Sequence, residues 1–369
     1  MFLTLLLYIF ITCSSLLIIY YLFVFSRFSF AKPNNKPSQN VPVSVVICAK
    51  NEAENLKTFL PAIINQEYSN FEIVLINDAS YDDTLEVMES FEAQHNNIKI
   101  VNVINNEAFW GNKKYALTLG IKATSNDYLL FIDADCKPVT KQWISSMTRH
   151  FNTKTKIVLG YGGYLKKKNS LLNALVRFET LLTAIQYFSY AKCGNPYMGV
   201  GRNLAYHKSV FFEADGFMSH MNIRSGDDDL FINENATAKN TTVEFSTNSH
   251  TISLAPNSFK EWITQKRRHI STAKHYKFKD QFFLGLFYVT QILFWITGIV
   301  LLSFLFQWQL VVIIFGIKLA IQYVVYGFTA KKLNEQNLIF AIPFLEIILI
   351  VFQMLIFIKN SISKPTHWK

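Results

Sequence analysis

The chain has 369 residues, half of them apolar, with 33 Phe and a formal net charge of +10. A mean hydropathy of +0.18 excludes an ordinary soluble enzyme. The charge does not signal nucleic acid: much of it clusters just before an apolar run, and no nucleic-acid-binding module accompanies it.

The first apolar run, Phe2 to Phe25, carries no charge and exceeds the roughly 20 residues a spanning helix needs. No Lys or Arg precedes it and no small-x-small cleavage site follows, so residues 1–25 read as an uncleaved anchor rather than a signal peptide. Residues 26–41 form a polar linker with two prolines. Arg27, Lys32 and Lys36 follow the span directly, which places the middle of the chain in the cytosol under the positive-inside rule.

From Val43 the pattern alternates. Val43–Cys48 is a short β-branched strand, and a helix follows with Leu56, Phe59, Leu60 and Ile63 on its apolar face and a kink expected at Pro61. Phe71–Ile76 predicts a second strand ending at Asn77-Asp78, and a helix follows through Leu85, Met88 and Phe91. Ile98–Ile104 predicts a third strand, Lys113–Ile121 a helix, and Tyr128–Ile132 a fourth strand ending at Asp133. Strand–helix alternation with continuously apolar strands predicts an α/β domain over 42–254, its mostly parallel sheet covered by helices on both faces.

In such sheets ligands bind beyond the carboxyl ends of the strands. Three strands here end in polar clusters, at Lys50-Asn51-Glu52, Asn77-Asp78 and Asp133-Ala134-Asp135, and all three are expected on one rim. Asp133 and Asp135 suit Mg²⁺ or Mn²⁺, which take one or two carboxylates together with phosphate oxygens. Asp78 can accept from a base or ribose, and Lys113 can reach a phosphate. Farther on, Gly226-Asp227-Asp228-Asp229-Leu230 is either a helix N-cap with an acidic first turn or a general base for an acceptor hydroxyl. Three adjacent acids raise one another's pKa, which favours a base.

Residues 255–281 are basic, with Lys260, Lys266, Arg267, Arg268, Lys274, Lys277 and Lys279, and read first as a lipid-headgroup contact. Gln265 and Arg268 share one helical face there, and the planar fork of Arg268 suits a diphosphate. Three further spans are expected within 282–358: Phe282–Phe306, Gln309–Phe328 and Leu338–Ile358, the first two joined by a tight hairpin with Trp308 at the interface. Four crossings would put the tail, 359–369, outside, whereas Lys359, Lys364 and Lys369 favour the inside, so one segment is re-entrant or interfacial. Lys318 and Glu346 lie at similar depth in antiparallel spans, as a structural ion pair or as part of a transport path. Cys13, Cys48, Cys136 and Cys193 form no CxxC pair, so neither a disulfide framework nor a zinc site is expected.

Taken together, these motifs resemble the membrane-anchored inverting family 2 glycosyltransferases, over Val43 to about His269 plus the flanking spans. Asn77-Asp78-Ala79-Ser80-Tyr81-Asp82-Asp83-Thr84 is similar to that family's nucleotide segment, Asp133-Ala134-Asp135 to its D-x-D, and Gly226-Asp227-Asp228 to its base motif. Gly201-Arg202-Asn203-Leu204-Ala205-Tyr206 resembles the acceptor-side loop, and Gln265-x-x-Arg268 the Gln-x-x-Arg-Trp motif with His269 in place of Trp. The resemblance implies a GT-A fold and a nucleotide sugar donor, UDP- or GDP-linked. It implies a lipid or glycan acceptor and an in-line displacement with inversion. Asp228, or else Asp227, would be the base, and Asn51, Glu52, Asp78, Lys113, Asp133, Gly201, Asn203, Gln265 and Arg268 would touch substrates. His269 weakens a processive polymer synthase that exports its product. A small transporter or an inactive membrane scaffold is the rival from another class. The expected setting is a multi-pass protein of a bacterial inner (plasma) membrane, in contact with its lipids.

Overall fold

The computed structural model describes residues 1–34, 37, 39–104, 113–223 and 225–363. Lys36, Lys364 and Lys369, which bear on the expected sidedness, lie outside these.

A long apolar helix opens the chain: α1 (Phe2–Ile19), a π-helical turn over Tyr20–Phe25, and α2 (Ser26–Ser29) run on without a break. The expected linker therefore begins as helix. Its hydroxyls stay satisfied by bonding back one turn, as Ser29 Oγ does to the Phe25 carbonyl at 2.9 Å.

The α/β unit follows as β1 (Val43–Ala49), α3 (Ala53–Ile64), β2 (Phe71–Asp78), α4 (Thr84–Glu92), β3 (Ile98–Val103), α5 (Lys113–Ala123) and β4 (Tyr128–Phe131). Next come β5 (Cys136–Pro138), α6 (Trp143–Thr148), β6 (Ile157–Leu159), β7 (Gly162–Tyr164), α7 (Leu171–Lys192), β8 (Leu204–His207), α8 (Lys208–Glu213), α9 (Asp229–Asn235), β9 (Thr241–Val243) and β10 (Thr251–Ser253). In α3 the expected face is inside: Leu56, Phe59, Leu60 and Ile63 are all buried, each contributing about 1.5–3 kcal/mol of apolar burial. The helix runs through Pro61 to Ile64.

The main sheet has the strand order β3-β2-β1-β4-β8-β6-β9. Strands β1 to β4 pair in parallel, as the apolar runs required, and β8 inserts antiparallel between β4 and β6. The expected acceptor-side loop is thus partly strand: Leu204, Ala205 and Tyr206 pair with Phe131, Leu130 and Leu129 in mid-sheet. A three-stranded sheet, β5-β10-β7, closes the side beyond Asp135.

The remaining helices are α10 (Phe259–Ala273), α11 (Phe278–Ser303), α12 (Trp308–Lys332) and α13 (Ile342–Ile362). Among the described residues, four helices are long and apolar enough to cross a membrane. Gln307, in a left-handed conformation (φ 47°), turns the α11–α12 hairpin directly before Trp308. Lys318 and Glu346 meet at 3.4 Å, fully buried, and Glu346 also accepts from Gln291 (2.6 Å), Trp295 (3.3 Å) and Gln322 (3.1 Å). A charge removed from water is tolerated only when so paired.

Helix α13 is held to the α/β unit at both ends. Just before it, Glu335 and Asn337 accept from Arg177 of α7. At its far end Asn360 Oδ1 accepts from Arg267 Nε of α10 at 2.8 Å, and Asn360 Nδ2 donates back to the Arg267 carbonyl at 3.1 Å.

Candidate active site

The parallel strands end on one rim, and a cavity of about 1340 Å³ opens there. Lys50, Glu52, Asp78, Asp133 and Asp135 line it from the strand ends, facing Asp227, Asp228, Gln265 and Arg268 from the opposite wall. The expected convergence of three strand ends is what the sheet register produces, since Asn77 of β2 lies level with Ala49 of β1.

Two expected contacts lie elsewhere. Asn51 sits in a left-handed turn (φ 56°), its N–H donating to Ser80 Oγ (3.0 Å) and its Oδ1 accepting from the Tyr81 N–H (3.0 Å). It ties the β1 and β2 loops together, and Lys50 takes the place on the cavity wall. Strand alternation carries the reason: Cys48 and Lys50, two apart, share the wall-facing side. Asn203 is fully buried beneath the cavity, not on it. Its amide donates to the Tyr161 (2.9 Å) and Ser249 (2.7 Å) carbonyls, and its Oδ1 accepts from Trp143 Nε1 at 3.0 Å. It pins the loop from below. Asp82 and Thr84 likewise serve the scaffold, taking the N–H groups of Ala53 and Glu52 at the start of α3.

The centre is organised by Lys113. Its ammonium lies 2.8 Å from Asp133 Oδ1 and 3.0 Å from Asp227 Oδ2, joining the two walls. Burial opposes that charge, but the two carboxylates outweigh it and hold the pKa well above the ordinary lysine value. In return, Lys113 overcomes the burial of Asp227 and holds that carboxyl below its ordinary value.

Asp228 behaves differently. Burial, and then the charges of Asp227 and Asp229, push its carboxyl up to about 7. Its Oδ2 accepts the Gly201 N–H at 2.6 Å and its Oδ1 the Asp229 N–H at 2.8 Å. The third acid, Asp229, is an anchor: Thr272 Oγ1 (2.5 Å) and the Tyr276 hydroxyl (2.7 Å) donate to it, tying the acidic turn to the last turn of α10 and the chain just after it. The turn starts at Gly226, whose φ of 99° and whose close approach to Leu230 exclude a Cβ.

Asp133, Asp135 and Cys136 bring their donor atoms within 4.8 Å of one another. Burial keeps the Cys136 thiol protonated and it donates to Asp135, leaving two carboxylates as hard donors, a set that fits Mg²⁺ or Mn²⁺. Burial and then Asp133 raise the Asp135 carboxyl, a like-charge strain that a cation would relieve. Gln265 Oε1 is buried in the opposite wall with no partner among the described residues. Arg202 is a lining residue beyond the sequence expectations. Its guanidinium lies 4.3 Å over the Tyr164 ring and donates to Ser253 Oγ at 2.9 Å. A lone Arg in a glycine loop carries no local signal of that stacking.

Residues 44–213 match the family model described as Glycosyl transferase family 2. The chain carries a family 2 glycosyltransferase domain. An uncharacterized glycosyltransferase of Haemophilus influenzae is 34% identical over 131 residues, which are 35% of this chain and 38% of that protein. Poly-beta-1,6-N-acetyl-D-glucosamine synthase of Staphylococcus epidermidis is 32% identical over 121 residues, covering 32% of this chain and 28% of the synthase. The matches thus span well under two thirds of these relatives. Among solved structures, a mannosyltransferase from Pyrobaculum calidifontis in complex with GDP-Man and Mn²⁺ aligns with a TM-score of 0.59 at 15% identity, over 91% of this chain and 97% of that one. The glycosyltransferase domain therefore has the GT-A fold.

Proposed function

We propose that the protein is a membrane-bound glycosyltransferase that moves a sugar from a nucleotide-diphosphate donor to an acceptor hydroxyl, with inversion. The observation that carries this reading is the opposition, across one cavity, of a metal-suited carboxylate pair bridged to Lys113 and a carboxyl with a pKa of about 7.

Asp78 and Lys50 receive the nucleoside end, and Lys113 and Arg268 flank the diphosphate. Asp133 and Asp135 would hold Mg²⁺ or Mn²⁺, which when bound neutralises charge on the departing diphosphate. Asp228 removes the proton of the acceptor hydroxyl. The freed oxygen pair forms the new bond to the anomeric carbon while the bond to the diphosphate oxygen breaks, that oxygen keeping its pair. Attack from the side opposite the leaving group inverts the centre.

Arg27 and Lys32 support a cytosolic domain, with α1, α11 and α12 crossing the membrane. The two tethers of α13 to α7 and α10 favour an in-plane or re-entrant course for that helix, its end on the catalytic side. The cavity stops at Gln291, whose amide donates to the buried Glu346, which favours a single transfer over export through the spans. The test is a panel of UDP- and GDP-sugars with purified protein and Mn²⁺, read by nucleoside diphosphate release and product mass. Release with one donor and an inverted product is expected; no release with any donor sinks the reading.

A further inference from the structure

The cavity extends beyond the catalytic rim, along the apolar helix α11. A pocket for one small ligand occupies roughly 300–1,000 Å³, whereas this one measures about 1340 Å³. From the acidic turn it continues along α11 past Gly285 and Tyr288 to Gln291. Gln291 lies thirteen residues beyond Phe278, about 20 Å along the helix axis. The facing wall is Gln353 and Phe357 of α13.

Gly285, Tyr288 and Gln291 are spaced by three and so share one face of α11. A Cβ built on Gly285 meets nothing within 4 Å. At the mouth the Tyr288 and Phe357 rings meet, 5.7 Å between centroids, the Tyr288 hydroxyl donates to the Ile350 carbonyl at 3.3 Å, and Phe357 is 48% exposed at the outer edge. Lining residues on α11 and α13 are apolar, aromatic or amide, and none is ionisable apart from the Tyr288 phenol; the charged lining residues come from other elements, among them the strand ends, the acidic turn, α7 and the α10 region. This section suits an acyl or isoprenoid tail, not a nucleotide or a growing glycan.

The catalytic end selects the head. Asp227, Asp228 and Asp229 line it, and Asp228 is placed to take the proton of a hydroxyl. The orphaned Gln265 Oε1 needs a hydrogen-bond donor from the ligand, which a hydroxyl has and an ionised phosphate lacks.

We propose that the acceptor is a membrane lipid with a free hydroxyl on its head, which reaches Asp228 sideways from the bilayer through the gap between α11 and α13. This rests on the sugar-transfer reading for its chemistry, but the lipid path can be tested without turnover. The full chain is reconstituted in phosphatidylcholine vesicles carrying a minor fraction of diacylglycerol with a photoreactive acyl chain, or of the matching phosphatidic acid. After illumination, labelled peptides are mapped and, separately, sugar transfer to each lipid is measured.

Diacylglycerol is expected to label α11 and α13 and phosphatidic acid to label them weakly. Gly285→Trp should cut that labelling about tenfold by filling the open space. Ile296→Trp, on a lipid-facing position of the same helix (52% exposed), should leave it unchanged. Phe357→Ala, which widens the mouth, should increase it. Labelling unaltered by both Gly285→Trp and Phe357→Ala overturns the lateral path, as does stronger labelling by phosphatidic acid. Labelling as expected with no nucleoside diphosphate release from any donor would keep the lipid path and remove the sugar-transfer reading instead.

Discussion

Asp228 Oδ2 takes the Gly201 N–H at 2.6 Å, so the carboxyl that burial and its acidic neighbours push up to about 7 is aimed by the backbone of the loop before β8. A Cβ on Gly201 would lie 3.3 Å from that same oxygen, and only a residue without one leaves the pair undisturbed. Asp228→Asn removes the proton acceptor while keeping the shape. Transfer is expected to fall by roughly 10²–10⁴ with nucleoside diphosphate affinity unchanged. Product formation together with calorimetric titration of the nucleotide checks both halves; wild-type turnover would place the base elsewhere.

The pH dependence follows from the same group. As a base, Asp228 acts only when ionised, so the rate should fall as pH drops through about 7. The sign for stability is opposite. The folded chain binds this proton more tightly than the unfolded one, so the contribution is full below the ordinary aspartate range and is lost as pH rises through about 7. A pH–rate profile beside thermal unfolding at the same pH values tests the pair. A rate independent of pH between 5 and 8 would contradict the assignment.

Lys113→Met leaves Asp133 and Asp227 facing each other without the cation that now lies 2.8 and 3.0 Å from them. Asp227 should then take up a proton nearer neutrality, and nucleotide diphosphate binding should weaken by about 2–3 kcal/mol. Titration with the nucleotide at two pH values measures this, and Lys113→Arg should restore part of the affinity.

Among the long apolar helices the Lys318–Glu346 contact predicts an asymmetric double-mutant cycle. Lys318→Met alone strands Glu346 and should cost about 3–5 kcal/mol, whereas Lys318→Met with Glu346→Gln should recover most of that loss. Thermal unfolding in detergent reads the difference. Equal losses in the single and double variants would show that the pair is not what the bundle depends on.

The course of α13 is open to a labelling experiment. In a Cys193→Ser background, Ser361→Cys should react with an impermeant maleimide from the same side as residues of the catalytic domain. Ser361 is exposed, and its neighbour Asn360 is held by Arg267. Reaction from the opposite side would make α13 a fourth crossing.

How far the chain could be read without coordinates depended on the range of the interaction. Helix α3 and strands β1 to β4 were legible because a period of 3.6 or 2 reports which side is buried within a few residues. Asp133 was legible as a strand end because strand composition stops there, and the apolar helices because lipid demands about 20 apolar residues in a row. The family resemblance came from motif order alone. Asn51 and Asn203 differ from expectation for one reason: a polar residue near a site looks the same in sequence whether it faces ligand or satisfies backbone groups, and here the side chains bond the Tyr81 N–H and the Tyr161 and Ser249 carbonyls.

By itself, then, the sequence determined the α/β alternation, the polar strand ends, the acidic turn and the apolar helices, all consequences of local composition and period. Only the tertiary structure decided that Lys113 joins Asp133 to Asp227, that Gly201 aims Asp228, and that α13 returns to Arg267. Those pairings join residues far apart in the chain. Their energy depends on distance and burial in the folded state, which no local periodicity encodes.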